Sequence, residues 1–127
     1  MIVFDTHAWV WWADGDHRLS QRVSDRLLTD EMGVSAMSCF EVAQLARLGK
    51  LGLATTPEAW IGRALALPGV RLIPVDDRIA VAAAMLGGGF YGDPADRVIY
   101  ATARVIGAPL ATKDRKMRRF DPALTLW

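Results

Sequence analysis

Apolar residues along this chain fall into short blocks of two kinds. "MIVF" (1–4), "MGVSAM" (32–37), "VRLIPV" (70–75), "APLAT" (108–112) and "ALTLW" (123–127) are brief and bounded by polar residues or turns, and their make-up predicts strands. Between them, apolar positions recur every three or four residues, which predicts helices. "AWVWWA" (8–13) reads as a short helix, followed by the polar loop "DGDHRLS". Ser20 then caps a helix carrying Val23, Leu27 and Leu28. Ser38 opens a helix through Phe40, Val42, Leu45 and Leu48, stopped by Gly49 or Gly52. Pro57 begins another, through Trp60, Ile61 and Leu65. Asp76 or Asp77 caps the next, through Ile79, Ala83 and Leu86, which runs into "GGG". The longest stripe, Val98, Ile99, Thr102, Val105 and Ile106, follows "GDPAD".

Strand and helix alternate from one end to the other. This predicts an α/β fold, a three-layer α/β/α sandwich around a mainly parallel sheet, with residues 1–127 forming a single domain. The first strand has no polar position, as a sheet covered on both faces requires. Such sheets hold their ligands outside the carboxyl ends of their strands.

Composition narrows the chemistry. Cys39 is the one cysteine, which excludes an internal disulfide and a multi-cysteine zinc site and suits a reducing cytoplasm. Met1 leads directly into "IVFD" with no basic and apolar leader, and no apolar run reaches membrane-spanning length, so neither a signal peptide nor a membrane segment is expected. A formal net charge of +1 neither demands nor excludes a nucleic-acid partner.

The acids carry more. Asp5 follows the first strand and can cap the helix after it. Glu41 closes "SCFE", a capping-box pattern, yet it shares a face with Leu45 and Leu48 and so points towards the protein body. Asp93, Pro94 and Asp96 fit the N-cap, N1 and N3 positions of a helix. Asp114 follows "APLAT" after one residue and can cap "RKMRRF". Each has a plain structural explanation, but together they gather on one edge of a parallel sheet. Clustered carboxylates raise one another's pKa, and a divalent cation removes that penalty. Oxygen-only ligands without histidine or cysteine spacing favour Mg2+ or Mn2+ over zinc, and carboxylate-held Mg2+ serves phosphoryl chemistry.

Two other acid-based classes fit less well. A phosphorylated receiver needs an aspartate after its middle strand, and "LGLATTPEAW" has none. An Asp-x-Asp phosphatase fails because His7 stands two residues after Asp5. His7 can reach substrate or simply edge the site, and His17 sits in a polar loop. Trp9, Trp11 and Trp12 cannot all face one core, which leaves aromatic surface for a partner. Lys113, Arg115, Lys116, Arg118 and Arg119 form a basic run beside Asp114, either a solvated helix face or a grip on a nucleic-acid backbone.

"MIVFDTHAWVWW", "VSAMSCFEVAQLARLGKL", "GDPADRVIYATAR" and "LATKD", in this order, resemble the PIN-domain family and within it the VapC-type toxins of bacterial toxin–antitoxin pairs. The resemblance implies a Mg2+-dependent, or Mn2+-dependent, endoribonuclease that cleaves RNA phosphodiesters with metal-activated water, partnered by a cognate antitoxin and forming a homodimer. Asp5, Glu41, Asp96 and Asp114 match the family's acidic quartet as catalytic and metal-holding residues. Asp93 matches the extra acid of the "DPxDR" subgroup, and Thr6 and Thr112 match hydroxyl residues that accompany the acids. Lys113, Arg115 and Lys116 are the candidate RNA contacts. Many relatives carry His-Arg before the Asp-Pro, whereas this chain has Tyr91-Gly92, so no role of that histidine carries over. The competing reading is a PIN-like module that binds an antitoxin or RNA without turnover.

Overall fold

The computed structural model describes residues 1–127. Five parallel strands form its sheet, in the order β3-β2-β1-β4-β5. They are β1 (Ile2–Phe4), β2 (Met32–Ser35), β3 (Val70–Ile73), β4 (Leu110–Ala111) and β5 (Thr125–Leu126). The helices are α1 (Thr6–Ala13), α2 (Gln21–Arg26), α3 (Ala36–Arg47), α4 (Pro57–Ala66), α5 (Asp77–Ala84), α6 (Pro94–Ile106) and α7 (Arg115–Phe120). The alternation read from the sequence is therefore the architecture observed.

Side chains alternate across the central strand and divide the core in two. Ile2 and Phe4 join Trp9, Val23, Val34, Val42 and Ala64 on the face covered by α1 to α4. Val3 joins Ile99, Tyr100, Ala103, Leu110 and Met117 on the face covered by α6 and α7. Helix α5 lies outside, packing Ile79 and Ala83 against Ala101. Trp9 is the tryptophan committed to the core, edge-on to Trp60 at 5.0 Å, while Trp11 and Trp12 are half-buried.

Several boundaries differ from the pattern, each for a local reason. The second strand stops at Ser35, whose hydroxyl accepts from the Met37 amide at 3.1 Å and so starts the helix three residues before Ser38. The capping box read from "SCFE" is therefore absent; Glu41 lies well inside α3, and Ser38 is buried beneath it. The third strand ends at Ile73 because Pro74 cannot donate to the ladder. Helix α2 ends at Arg26, before Leu27 and Leu28, and Leu28 is left exposed. Ser20 stands at its N-cap without a side-chain bond. Helix α1 begins at Thr6, earlier than the tryptophan pattern showed, because Asp5 caps it.

Arg97 does unanticipated structural work. Its guanidinium donates to the carbonyls of Ala83 (3.1 Å), Ala84 (3.2 Å) and Leu86 (2.8 Å), closing the C-terminal end of α5, and it lies 5.8 Å from the Phe90 ring centre. A cation there satisfies carbonyls that the helix leaves unpaired and suits the negative end of its dipole. Arg97→Ala is expected to lower unfolding free energy by about 2 kcal/mol, in the range for hydrogen bonds from a charged group. Urea denaturation checks this; a variant as stable as wild type contradicts it.

Candidate active site

The strand order reverses at β1, whose two neighbours are β2 and β4. Ligand crevices of open α/β sheets form at such a point. Here the Asp5 amide donates to the Ala111 carbonyl at 3.0 Å, the last bond between these strands before the chains part. Beyond it, Asp5 and Asp114 leave the sheet on either side of a cleft of about 430 Å³. The cleft is lined by Asp5, Thr6, His7, Glu41, Asp93, Asp96, Lys113 and Asp114.

Helix capping aims three of these acids. Asp5 accepts from the Ala8 amide at 2.8 Å at the start of α1. Asp93 accepts from the Asp96 amide at 2.8 Å at the start of α6, where Pro94 fixes the first turn. Asp114 accepts from the Met117 amide at 3.0 Å at the start of α7. In each case Oδ1 takes the cap; at Asp93 and Asp114 Oδ2 makes no bond to the protein, while the Asp5 carboxylate is also engaged by the Thr112 hydroxyl. The cap and ligand readings of these residues are therefore compatible, because the cap uses half of each carboxylate.

Glu41 and Asp96 are placed by their helices' bodies. From the second turn of α3, Glu41 accepts a short hydrogen bond from the Thr6 hydroxyl, and Ser38 Oγ lies 3.2 Å from the same Thr6 oxygen. Thr6 and Ser38 are both buried. Thr112 is fully buried beneath the cleft, and its hydroxyl accepts from the Asp114 amide at 3.0 Å. The Asp96 carboxylate reaches back to the Asp93 backbone amide, so the two residues cap the start of α6 reciprocally. Gly92 sits directly against Asp96: a Cβ at that position would lie 2.8 Å from Asp96 Cβ and 2.7 Å from the Phe90 ring. The absence of a side chain at Gly92 thus allows the incoming loop to close over Asp96.

The electrostatics are unbalanced. Carboxylate oxygens of Glu41, Asp93 and Asp96 lie within 4.8 Å of one another, and none of the cleft acids forms an ion pair with lysine, arginine or histidine. At an effective dielectric of about 20, each such ionised pair repels by roughly 3 kcal/mol before salt screening. A helix N-terminus returns only about 0.3–1 kcal/mol per acid. Repulsion therefore wins, and protonation relieves it. Burial first, then Asp93, Glu41 and Asp114, push Asp96 up to about 7. Burial also raises Asp5, against the opposing pull of the Thr112 hydroxyl and the Ala8 amide.

The donor set fits a hard divalent cation. It is all oxygen, drawn from four separate segments, with carboxylates facing one cleft and none of them in an ion pair, although Lys113 also lines it. Asp5, Glu41, Asp96 and Asp114 do converge on the cleft, but the tightest group is Glu41, Asp93 and Asp96, so Asp93 stands closer to the centre than its subgroup position implied. Lys113 lines the same cleft, while Arg115 and Lys116 line an adjoining recess shared with Tyr91, Asp93, Asp96 and Asp114. His7 is exposed at the rim, 6.1 Å from the Trp11 ring centre. Ser38 and Gly92 were missed as site residues. The misplaced helix start concealed Ser38, and no pattern reports the close approach that needs Gly92.

The PIN domain family model matches residues 2–122. Over 99% of its length the chain is 37% identical to ribonuclease VapC22 of Mycobacterium tuberculosis, spanning 98% of that protein. The fold is also that of a chain in VapBC2 from Rickettsia felis bound to a promoter DNA fragment, with a TM-score of 0.73 at 14% identity, covering 99% of this chain and 98% of that one. A toxin–antitoxin complex from Klebsiella pneumoniae gives 0.69 at 18% identity, covering 100% and 97%. VapC20 of M. tuberculosis, which cleaves the sarcin–ricin loop, gives 0.62 at 17%, covering 94% and 95%.

The folded-state pKa of Asp96 lies above its ordinary value of 3.8, so the native protein binds more protons than the unfolded chain between those two values. Stability of the metal-free protein falls as pH rises through this window, and the full penalty is present above about 7. Asp96→Asn is therefore expected to raise the melting temperature in chelator at pH 8 and to change it little near pH 4. A gain independent of pH, or a loss at pH 8, contradicts this origin.

Proposed function

The chain belongs to the PIN-domain family, in its VapC group, and from that premise we propose that it is a Mg2+-dependent or Mn2+-dependent endoribonuclease, the toxin of a toxin–antitoxin pair. One observation carries the reading. Glu41, Asp93 and Asp96 hold carboxylate oxygens within 4.8 Å of one another, and none of the three forms an ion pair. A group so arranged is costly unless it binds a cation, and hydrolysis of a polyanion is the chemistry such a cation serves.

In this reading Asp5, Asp96, Asp114 and Glu41 hold the metal, with Asp93 as an additional ligand. The bound cation supplies Lewis acidity and neutralises charge on the scissile phosphate. The protein's residues do the rest. Glu41, held by Thr6, keeps one oxygen free to accept a proton from the attacking water. Ser38 and Thr112 fix Thr6 and Asp114 in place from beneath. Lys113, Arg115 and Lys116 flank the cleft and hold the RNA backbone by charge, without reading sequence. Hydrolysis of this type leaves a 5′-phosphate and a 3′-hydroxyl.

Residues 1–127 act as one ribonuclease unit, working in the cytoplasm as a homodimer that a cognate antitoxin restrains. No helix is long and apolar enough to cross a membrane. Exposed Phe40 on α3 with Leu48 at its C-cap, and Val81 on α5 with Met85 at its C-cap, supply apolar surface for partner chains to cover. The structurally similar complexes from R. felis and K. pneumoniae are toxin–antitoxin assemblies, which supports the pairing.

Antitoxin-free protein incubated with a broad RNA pool is expected to cut it in Mg2+ or Mn2+ and to stop in chelator. Asp96→Asn is expected to lower the rate by more than about 100-fold, beyond the roughly 10–100-fold that loss of a supporting hydrogen bond brings, which is the range expected for Thr6→Val. Mapping of the new ends should show 5′-phosphates. Ends that are solely 2′,3′-cyclic phosphates overturn the mechanism, and an Asp5→Ala variant that cuts like wild type overturns the site.

A further inference from the structure

A second charged surface adjoins the acid cleft and has the opposite sign. Arg22 from α2, Arg115, Arg118 and Arg119 from α7, together with Pro122, Thr125 and Trp127, line a recess of about 470 Å³. No acidic residue lines it, and none of the four guanidiniums forms an ion pair or a side-chain hydrogen bond. A net charge of +1 gives no hint of this concentration.

Two routes connect recess and cleft. Arg115 lines both this recess and the one beside Asp93, Asp96 and Asp114. On the other side, Lys113 of the cleft lies 5.5 Å from the Trp11 ring centre, and Trp11 meets Trp127 edge-on at 5.9 Å. Trp127 is half-buried and forms an aromatic wall of the recess.

Building on the ribonuclease reading of the cleft, we propose that this arginine recess is a phosphate-binding exosite for single-stranded RNA: Arg22, Arg118 and Arg119 grip backbone phosphates flanking the scissile one, and Trp127 offers a face on which a base stacks. Unpaired guanidiniums around a concave surface suit phosphates, each presenting a planar fork of donors. A protein-bound single strand combines a basic track with an aromatic platform, and both are present here. Continuity with the acid cleft favours RNA over an acidic peptide, because one polyanion can occupy cleft margin and recess together. The recess then sets affinity for long substrates, while the acids set the chemistry.

Binding is measured by fluorescence anisotropy in chelator, with Asp96→Asn protein and single-stranded RNAs of about 20 and about 4 nucleotides, across a salt series. Combining Arg22→Ala, Arg118→Ala and Arg119→Ala is expected to weaken the long RNA by tenfold or more, in order-of-magnitude terms, and to make its log–log salt slope shallower by about 2. The short RNA is expected to bind unchanged. The lysine variants at the same positions should retain most of the affinity, which separates charge from folding. In the Asp96 background restored to wild type, the alanine variant should raise KM for long RNA and leave kcat unchanged. An unchanged slope, an equal loss for both RNA lengths, or loss of poly-glutamate binding with RNA binding intact each overturns the exosite. Because binding is read without turnover, absence of cleavage by wild type fails the ribonuclease reading alone, whereas cleavage with an unaltered slope fails the exosite alone.

Discussion

The structure depends on a conflict between carboxylates that helix capping holds in place. Asp5, Asp93 and Asp114 are each fixed by a backbone amide one turn into a helix, and the sheet's reversal at β1 brings the starts of those helices to one cleft. The caps are local and form whatever else occupies the site. They keep the acids near one another when repulsion would spread them. The protonation tendency of Asp96 is the residue of that conflict in the metal-free protein.

Much of this was legible in the chain, and the failures are instructive. The alternation of "MIVF", "MGVS" and "VRLI" with periodic helical stretches predicted the parallel sandwich, because the central strands, buried on both faces, leave no polar alternation, while "VRLI" lies at the sheet edge with Arg71 and Leu72 exposed. "GDPADR" announced its own cap and first turn, since aspartate, proline and a second acid at that spacing have few other uses. The Ser35 start of α3 was hidden because two serines three residues apart compete for the cap, and Ala36 and Met37 serve strand or helix equally well. That displacement removed the capping alternative for Glu41 and left it as a cleft residue bonded to Thr6. The roles of Arg97 and Gly92 were also invisible, because both come from contacts with other segments rather than from periodicity. The clustering of Arg22 with the α7 arginines joins residues about ninety positions apart, which no local pattern reports.

Acid cleft and arginine recess meet through Arg115 and through the Lys113–Trp11–Trp127 contacts, and neither the carboxylates of the first nor the guanidiniums of the second form ion pairs. A cation answers the first and a polyanion the second. Placing them side by side would let phosphates approach the carboxylates once a cation held by those acids offsets their charge. The folded core beneath both is ordinary: apolar faces of β1 and β4 covered by helices, with buried hydroxyls of Thr6, Ser38 and Thr112 as the polar link to the surface.

The central claim is that a divalent cation relieves the crowding that capping imposes. Calorimetric titration of Mn2+ into the metal-free protein near pH 6.5, in buffers of differing ionisation enthalpy, reads the protons released on binding. The account expects net proton release that fades well above pH 7 and is lost in Asp96→Asn, because the cation displaces the proton Asp96 holds there. Binding without proton release, or release undiminished in Asp96→Asn, would contradict it.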